Sequence, residues 1–141
     1  MFKILKLFLL IFCLIIHQFP SNAYEENKIK IGLLIPITGN NKDLGHQIIK
    51  SIRTALKDIK TENLEIYLKD TGSDPNITIK SAIEFKEMGI KIVIGPVFYK
   101  SLIYLDEVQE ITFLSLTNKT INLPNNVISA GVNATSQLKA I

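Results

Sequence analysis

The sequence has no tryptophan and a single cysteine, Cys13. It has two histidines, and His17 lies with Cys13 inside the first 23 residues. Beyond that segment there is no thiol. No disulfide can staple residues 24–141, which must hold together through an apolar core. One histidine, His46, and no cysteine leave thiol nucleophiles, imidazole bases and zinc ligand sets almost without members. No charge of one sign dominates either. Sixteen basic residues less Lys3 and Lys6 leave 14, against 13 acidic, a net charge of +1 for residues 24–141. The lysines alternate with acids and do not cluster, which argues against a nucleic-acid surface. Also missing are G-x-x-x-x-G-K-[ST], G-x-G-x-x-G and G-x-S-x-G, so phosphate cradles and a nucleophile elbow have no support.

What is present begins with an export signal. Lys3 and Lys6 form a basic opening, residues 7–16 are apolar without a charge, and Pro20-Ser21-Asn22-Ala23 places small residues before a cleavage point after Ala23. Residues 1–23 read as a secretory signal peptide. The apolar run falls short of the roughly 20 residues that a membrane-spanning helix needs. Leu10-Ile11-Phe12 precedes Cys13 where a lipidation signal has small residues, so Cys13 reads as an apolar filler. The destination is the periplasm.

The stretch 28–41, KIKIGLLIPITGNN, is a strand, a polar turn and the approach to a helix. Ile29, Ile31, Leu33, Leu34 and Ile35 give the near-continuous apolar run of a strand covered on both faces. Pro36 stops the ladder by removing a donor. Residues 45–60 follow with a 3.6-period apolar face of Ile48, Ile49, Ile52, Ala55, Leu56 and Ile59, and Asn41 or Asp43 as N-cap. LEIYL at 64–68 is a second strand. Asp74 and Pro75 open a second helix that Gly89 closes. Strands are expected at 90–94, 111–116 and 127–130. A short helix at 100–109 should turn Leu102, Ile103, Leu105 and Val108 inward. A last helix is expected from Ala134, cut off at Ile141, as in the N-terminal piece of a larger protein. Strands alternating with helices over short connections imply α/β architecture: a doubly wound parallel sheet, flavodoxin-like, in the order 2-1-3-4-5 with the first strand central. Such sheets hold ligands at the carboxyl ends of their strands.

One string resembles a catalytic motif. Asp70-Thr71-Gly72-Ser73 matches the D-T-G-S turn of aspartic proteases, which are all-β and need two carboxylates sharing a proton. Here the turn joins a strand to a capped helix and follows Lys69, so it reads as an Asp-Gly turn. Asn76, Asn118 and Asn133 each open an N-x-T pattern, which a chain rich in Asn and Thr produces by chance. No residue is assigned a catalytic role, and no cofactor or metal is expected.

IGLLIPITG, YLKDTGSDP, IVIGPV and ITFLSLTN occur in that order over residues 28–141. Together they resemble the first lobe of type I periplasmic binding proteins, such as the leucine/isoleucine/valine-binding components of ABC transporters. One branch, the penicillin-binding protein activators, is similar in its DTG after the second strand and in GP-x-x-x-K after the third, where Lys100 falls on the lysine. The resemblance implies that residues 24–141 are an N-terminal lobe with no enzymatic activity. A small polar ligand would lie in a cleft facing a second lobe. It implies ligand contacts from Thr38, Gly39 and Asn40, from Phe98, Tyr99 and Ser101, and from Ser115, Thr117 and Asn118. Hydroxyls and amides there would receive an anionic group, helped by helix N-termini. The implied partner is a membrane permease or, for the activator branch, a penicillin-binding protein. On the export reading, mass spectrometry of the secreted protein should find Tyr24 at the N-terminus. A retained Met1 or a lipid on Cys13 would contradict it.

Overall fold

A computed structural model describes residues 28–59 and 63–132. The signal segment at 1–23 and the helix expected from Ala134 lie outside the described residues. The elements are β1 (Ile29–Ile35), α1 (Lys42–Ile59), β2 (Leu64–Asp70), α2 (Pro75–Glu87), β3 (Ile92–Ile94), two 3₁₀ turns (Tyr99–Leu102 and Leu105–Val108), β4 (Thr112–Ser115) and β5 (Val127–Ser129). They form one five-stranded sheet in the order β2-β1-β3-β4-β5. Every neighbouring pair is parallel, with Ile31 opposite both Ile66 and Ile92. The expected α/β architecture and strand order are therefore present.

The ends of α2 follow from its sequence. The Asp74 carboxylate accepts from the amides of Asn76 (2.8 Å) and Ile77 (3.1 Å), and Pro75 needs no donor at the first helical position. At the other end Gly89 adopts φ +73. Its amide donates to Lys86 O at 2.9 Å while Ile90 N reaches back to Phe85 O at 3.0 Å, a Schellman closure. That closure displaces the start of β3. Ile90, expected as its first residue, completes the helix end and is buried in the core, and pairing begins at Ile92.

The stretch 100–109 departs from expectation more visibly. It is two 3₁₀ turns, not one α-helix. Leu102, Leu105 and Val108 are buried and stand three residues apart, the period of a 3₁₀ helix. Ile103, expected inward, falls off that register and is 56 % exposed.

Strand alternation divides the apolar residues between two unequal faces. On one face Leu34, Val93, Phe113 and Val127 pack beneath Ala82 and Phe85 of α2 and beneath Leu102, Leu105 and Val108 of the turns. Gly32 lies under this layer, where a Cβ would come within 3.0 Å of the Phe85 ring. The other face meets α1 lightly. Ile48, Ile49, Ile52 and Leu56 are half-buried, and Gly45 is the one buried residue of the helix. Ile92 and Ile128 of the sheet stay exposed. Of the apolar runs, that of β1 is covered on both sides as expected, with Leu33 and Ile35 buried on the α1 side and Leu34 on the other, whereas β3 and β5 are sealed on one side only among the described residues.

Gly45 sets how closely α1 approaches β1. A Cβ there would lie 1.7 Å from the carbonyl oxygen of Pro36. Gly→Ala in an open helix interior stabilises by about 1 kcal/mol. Here the overlap reverses the sign, and Gly45→Ala should destabilise by about 1–3 kcal/mol, the range for an overpacked site. Urea denaturation checks this; an unchanged or raised midpoint would show that α1 is free to move away.

Candidate functional site

The carboxyl ends of β1, β2, β3 and β4 open on one edge of the sheet, and four loops meet there. Adjacent strands are about 4.8 Å apart, so the loops after β1 and β4 stand about 10 Å from each other. The turn after β1 presents Thr38, Gly39 and Asn40, all exposed. Gly39 has φ +76, which suits glycine at the tip of the turn.

This first turn is held by a residue to which sequence reasoning gave no role at the site. Asp70 ends β2 directly opposite Ile35. Its Oδ1 accepts from the amides of Ile37 (2.7 Å), Gly72 (2.8 Å) and, at longer range, Thr38 (3.3 Å). Its Oδ2 accepts from the Thr38 hydroxyl at 2.5 Å. A second tie runs from Asn41 Nδ2 to Ser73 Oγ at 3.0 Å, so the Asn41 side chain reaches across to the next loop. Ser73 itself adopts φ 59. The signal was in the sequence: an Asp immediately after a strand and before Thr-Gly, beside the turn of a parallel neighbour.

The loops after β3 and β4 are also joined to each other. The Gly95-Pro96 peptide is cis. Gly95 passes so near β1 that a Cβ would sit 2.0 Å from Leu34 O. Ser115 Oγ donates to Pro96 O at 2.8 Å and accepts from Thr117 N at 3.3 Å. Thr117 O accepts from Ser129 Oγ at 2.8 Å, and Thr117 Oγ1 accepts from Lys119 N at 3.3 Å. Ser115 and Thr117 are both buried, as is Ser101, whose Oγ has no hydrogen-bond partner.

Of the nine residues singled out from the sequence, then, Thr38, Gly39, Asn40 and Asn118 are exposed at this edge and Phe98 and Tyr99 are half-buried beside it. Ser101, Ser115 and Thr117 are buried, the last two in bonds between loops. Lys119 Nζ stands 3.3 Å from the centre of the Tyr99 ring, a cation–π contact. Tyr99 also lines an open groove of about 410 Å³ with Leu102, Ile103, Asp106, Asn122, Leu123 and Pro124. Among the described residues no group of three or more His, Cys, Asp or Glu side chains is placed to hold a metal ion.

Burial works to raise the Asp70 carboxyl, but the Thr38 hydroxyl and the amides of Gly72, Ile37 and Thr38 outweigh it and hold it below its usual value. A depressed carboxyl stabilises the fold above its unfolded value and loses that contribution as pH falls through its folded value. The window lies below about pH 4, the ordinary aspartate range. Replacing Asp70 by Ala should cost about 2 kcal/mol at neutral pH, the scale of bonds to a charged acceptor. The difference from the parent should shrink as pH drops from 5 towards 2. Urea midpoints across that range test this; Glu65, Glu84 and Glu110, also lowered by lysine partners, titrate in both proteins and cancel.

Comparison with known proteins agrees with this architecture. No family model matches the chain. Leu/Ile/Val-binding protein homolog 1 of Brucella abortus is 36 % identical over 83 residues, which is 55 % of this chain and 22 % of that protein. Full-length LpoA of Haemophilus influenzae superposes with a TM-score of 0.61 at 24 % identity, over 81 % of this chain and 22 % of LpoA. A solute-binding protein of an ABC transporter from Rhodopseudomonas palustris, solved with 3,4-dihydroxybenzoic acid, gives a TM-score of 0.60 at 21 % identity, over 64 % of this chain and 27 % of its own. The fold is that of the type I periplasmic binding proteins. Within it, the chain is similar to the Leu/Ile/Val-binding proteins, the ABC solute-binding proteins and LpoA, and matches only about a quarter of their length.

Proposed function

We propose that residues 24–141 form the N-terminal lobe of an exported, non-enzymatic binding protein of the periplasm, the substrate-binding component of an ABC-type transport or sensing system. The observation that carries this is the convergence of the turns after β1, β3 and β4 on one carboxyl edge, with Thr38, Gly39, Asn40, Phe98, Tyr99 and Asn118 at its surface. That edge is where open α/β sheets hold ligands. Two of the named relatives support the reading: one is described as a homolog of Leu/Ile/Val-binding proteins, and the other is a solute-binding protein solved with an aromatic acid. The ligand is then a small polar molecule held between this wall and a second lobe, and the complex is read by a membrane permease.

A second reading rests on the likeness to LpoA, described as a regulator of PBP1A, which extends over 73–81 % of the chain. On that reading the lobe is part of a module that regulates peptidoglycan synthesis by contact with a penicillin-binding protein.

Calorimetry separates these. A micromolar site has about 8 kcal/mol of binding free energy, and losing half its contacts leaves about 4 kcal/mol, or millimolar affinity. Residues 24–141 alone should therefore give no measurable heat with L-leucine or 3,4-dihydroxybenzoate. Joined to the second lobe of the Brucella relative, they should bind one of the two. Micromolar binding by the lobe alone would refute the half-site reading. Silence of the joined protein, together with co-purification with a penicillin-binding protein, would favour the second reading.

A further inference from the structure

The hydrogen bonds of the first turn set what chemistry it can offer a ligand. A carboxylate only accepts, so the proton of the Thr38 hydroxyl points to Asp70 Oδ2, 2.5 Å away. Thr38 Oγ1 is left with lone pairs and no proton to give. The amides of Ile37 and Gly72 are spent on Asp70 Oδ1 at 2.7 and 2.8 Å, and that of Thr38 leans on the same atom at 3.3 Å. At Thr38 the donors that a carboxylate or phosphate would require are thus already used, and a negative charge stands behind them. The exposed rim of the turn is acceptor-only at Thr38. Towards the other end of the edge the sign changes, with Lys119 lying over the Tyr99 ring.

We propose that the turn after β1 recognises a hydrogen-bond-donating, preferably cationic group of the ligand, such as an ammonium, through Thr38 Oγ1, and that Asp70 is the positioning residue that makes it so. Thr38 disfavours anionic groups, and an anionic end of the ligand is directed towards the loops after β3 and β4, about 5 and 10 Å away. This runs against the role of anion receptor that the family resemblance implied for Thr38. It rests on the reading of the carboxyl edge as a ligand wall, and it deepens that reading by naming the chemistry that one part of the wall selects.

The test uses two ions of similar size and opposite charge. The ¹⁵N-labelled full chain is titrated with methylammonium chloride or sodium acetate, with sodium chloride at equal ionic strength as reference, and amide shifts are followed by NMR. Methylammonium should perturb the amides of Thr38, Gly39 and Asn40 with an apparent affinity about tenfold above that of acetate, the scale of one hydrogen bond in a charged field. This comparison needs no variant. Asp70→Asn then separates charge from shape. Its amide can donate to Thr38 Oγ1, which frees the hydroxyl proton, so the preference should fall to about one or invert towards acetate. A purely structural role for Asp70 would leave the preference unchanged in a folded variant. Acetate perturbing Thr38–Asn40 as strongly as methylammonium in the parent would overturn the proposal. Shifts confined to Tyr99, Asn118 and Lys119 would overturn it while leaving the edge as a ligand wall. No shift anywhere on the edge would overturn both.

Discussion

One carboxylate organises the carboxyl edge of the sheet around β1 and β2. Asp70 accepts from two amides of the preceding loop, from the Thr38 hydroxyl and from Gly72 at the start of its own loop. Beyond buried Pro36 and half-buried Ile37, the turn from Thr38 to Asn40 is exposed. The position of the first turn therefore depends on electrostatics at a strand end. Parallel register makes this possible: Ile35 and Asp70 are direct neighbours, so the last residue of β2 lies beside the first residues after β1. A one-residue slip in that pairing would point the carboxylate to the opposite face of the sheet.

The rest of the fold is arranged around an asymmetry. Phe85, Phe113, Leu34, Leu105 and Ile111 close one face completely. The opposite face has α1, which approaches closely at Gly45 and lies against the sheet only lightly along its length. The site edge draws on both faces. Phe98 and Tyr99 lead into the 3₁₀ turns of the sealed side, whereas Thr38–Asn40 lead into α1. Rigidity at the edge is thus uneven: the β3 and β4 loops are fixed by core packing and buried hydroxyls, and the β1 loop is fixed by Asp70 and the Asn41–Ser73 bond.

Much of this was legible in the sequence. Near-continuous apolar runs alternating with helix-period segments gave the parallel sheet and its order, because burial pattern and right-handed crossovers leave few other arrangements. Asp74, Pro75 and Gly89 announced the ends of α2, because cap chemistry is local. The two 3₁₀ turns were less legible, since Leu102, Leu105 and Val108 suit a period of 3.0 almost as well as 3.6. The roles of the hydroxyls were not legible at all. Nothing in the spacing of Ser115 and Thr117 tells whether a hydroxyl faces a cleft or a carbonyl; that depends on Pro96 and Ser129, brought beside them by the sheet.

Where those hydroxyls go has a consequence for recognition. A buried hydroxyl that already donates to a carbonyl gives nothing to a ligand without breaking that bond, and an unmade buried bond costs about 1–3 kcal/mol. Ser115 is in that position, so its contribution to a site is to hold the loops after β3 and β4 in register. On the proposed reading, what the edge offers a ligand is the acceptor oxygen of Thr38, the exposed Asn40 and Asn118, Phe98, and Tyr99 with Lys119 over its ring. The wall then reads hydrogen-bond donors at its β1 end and negative charge or flat apolar surface beside Tyr99 and Lys119. On the same reading, a ligand would direct its donating group towards the β1 turn and its aromatic or anionic end towards Tyr99 and Lys119, with Asp70 fixing the polarity of the first contact from behind.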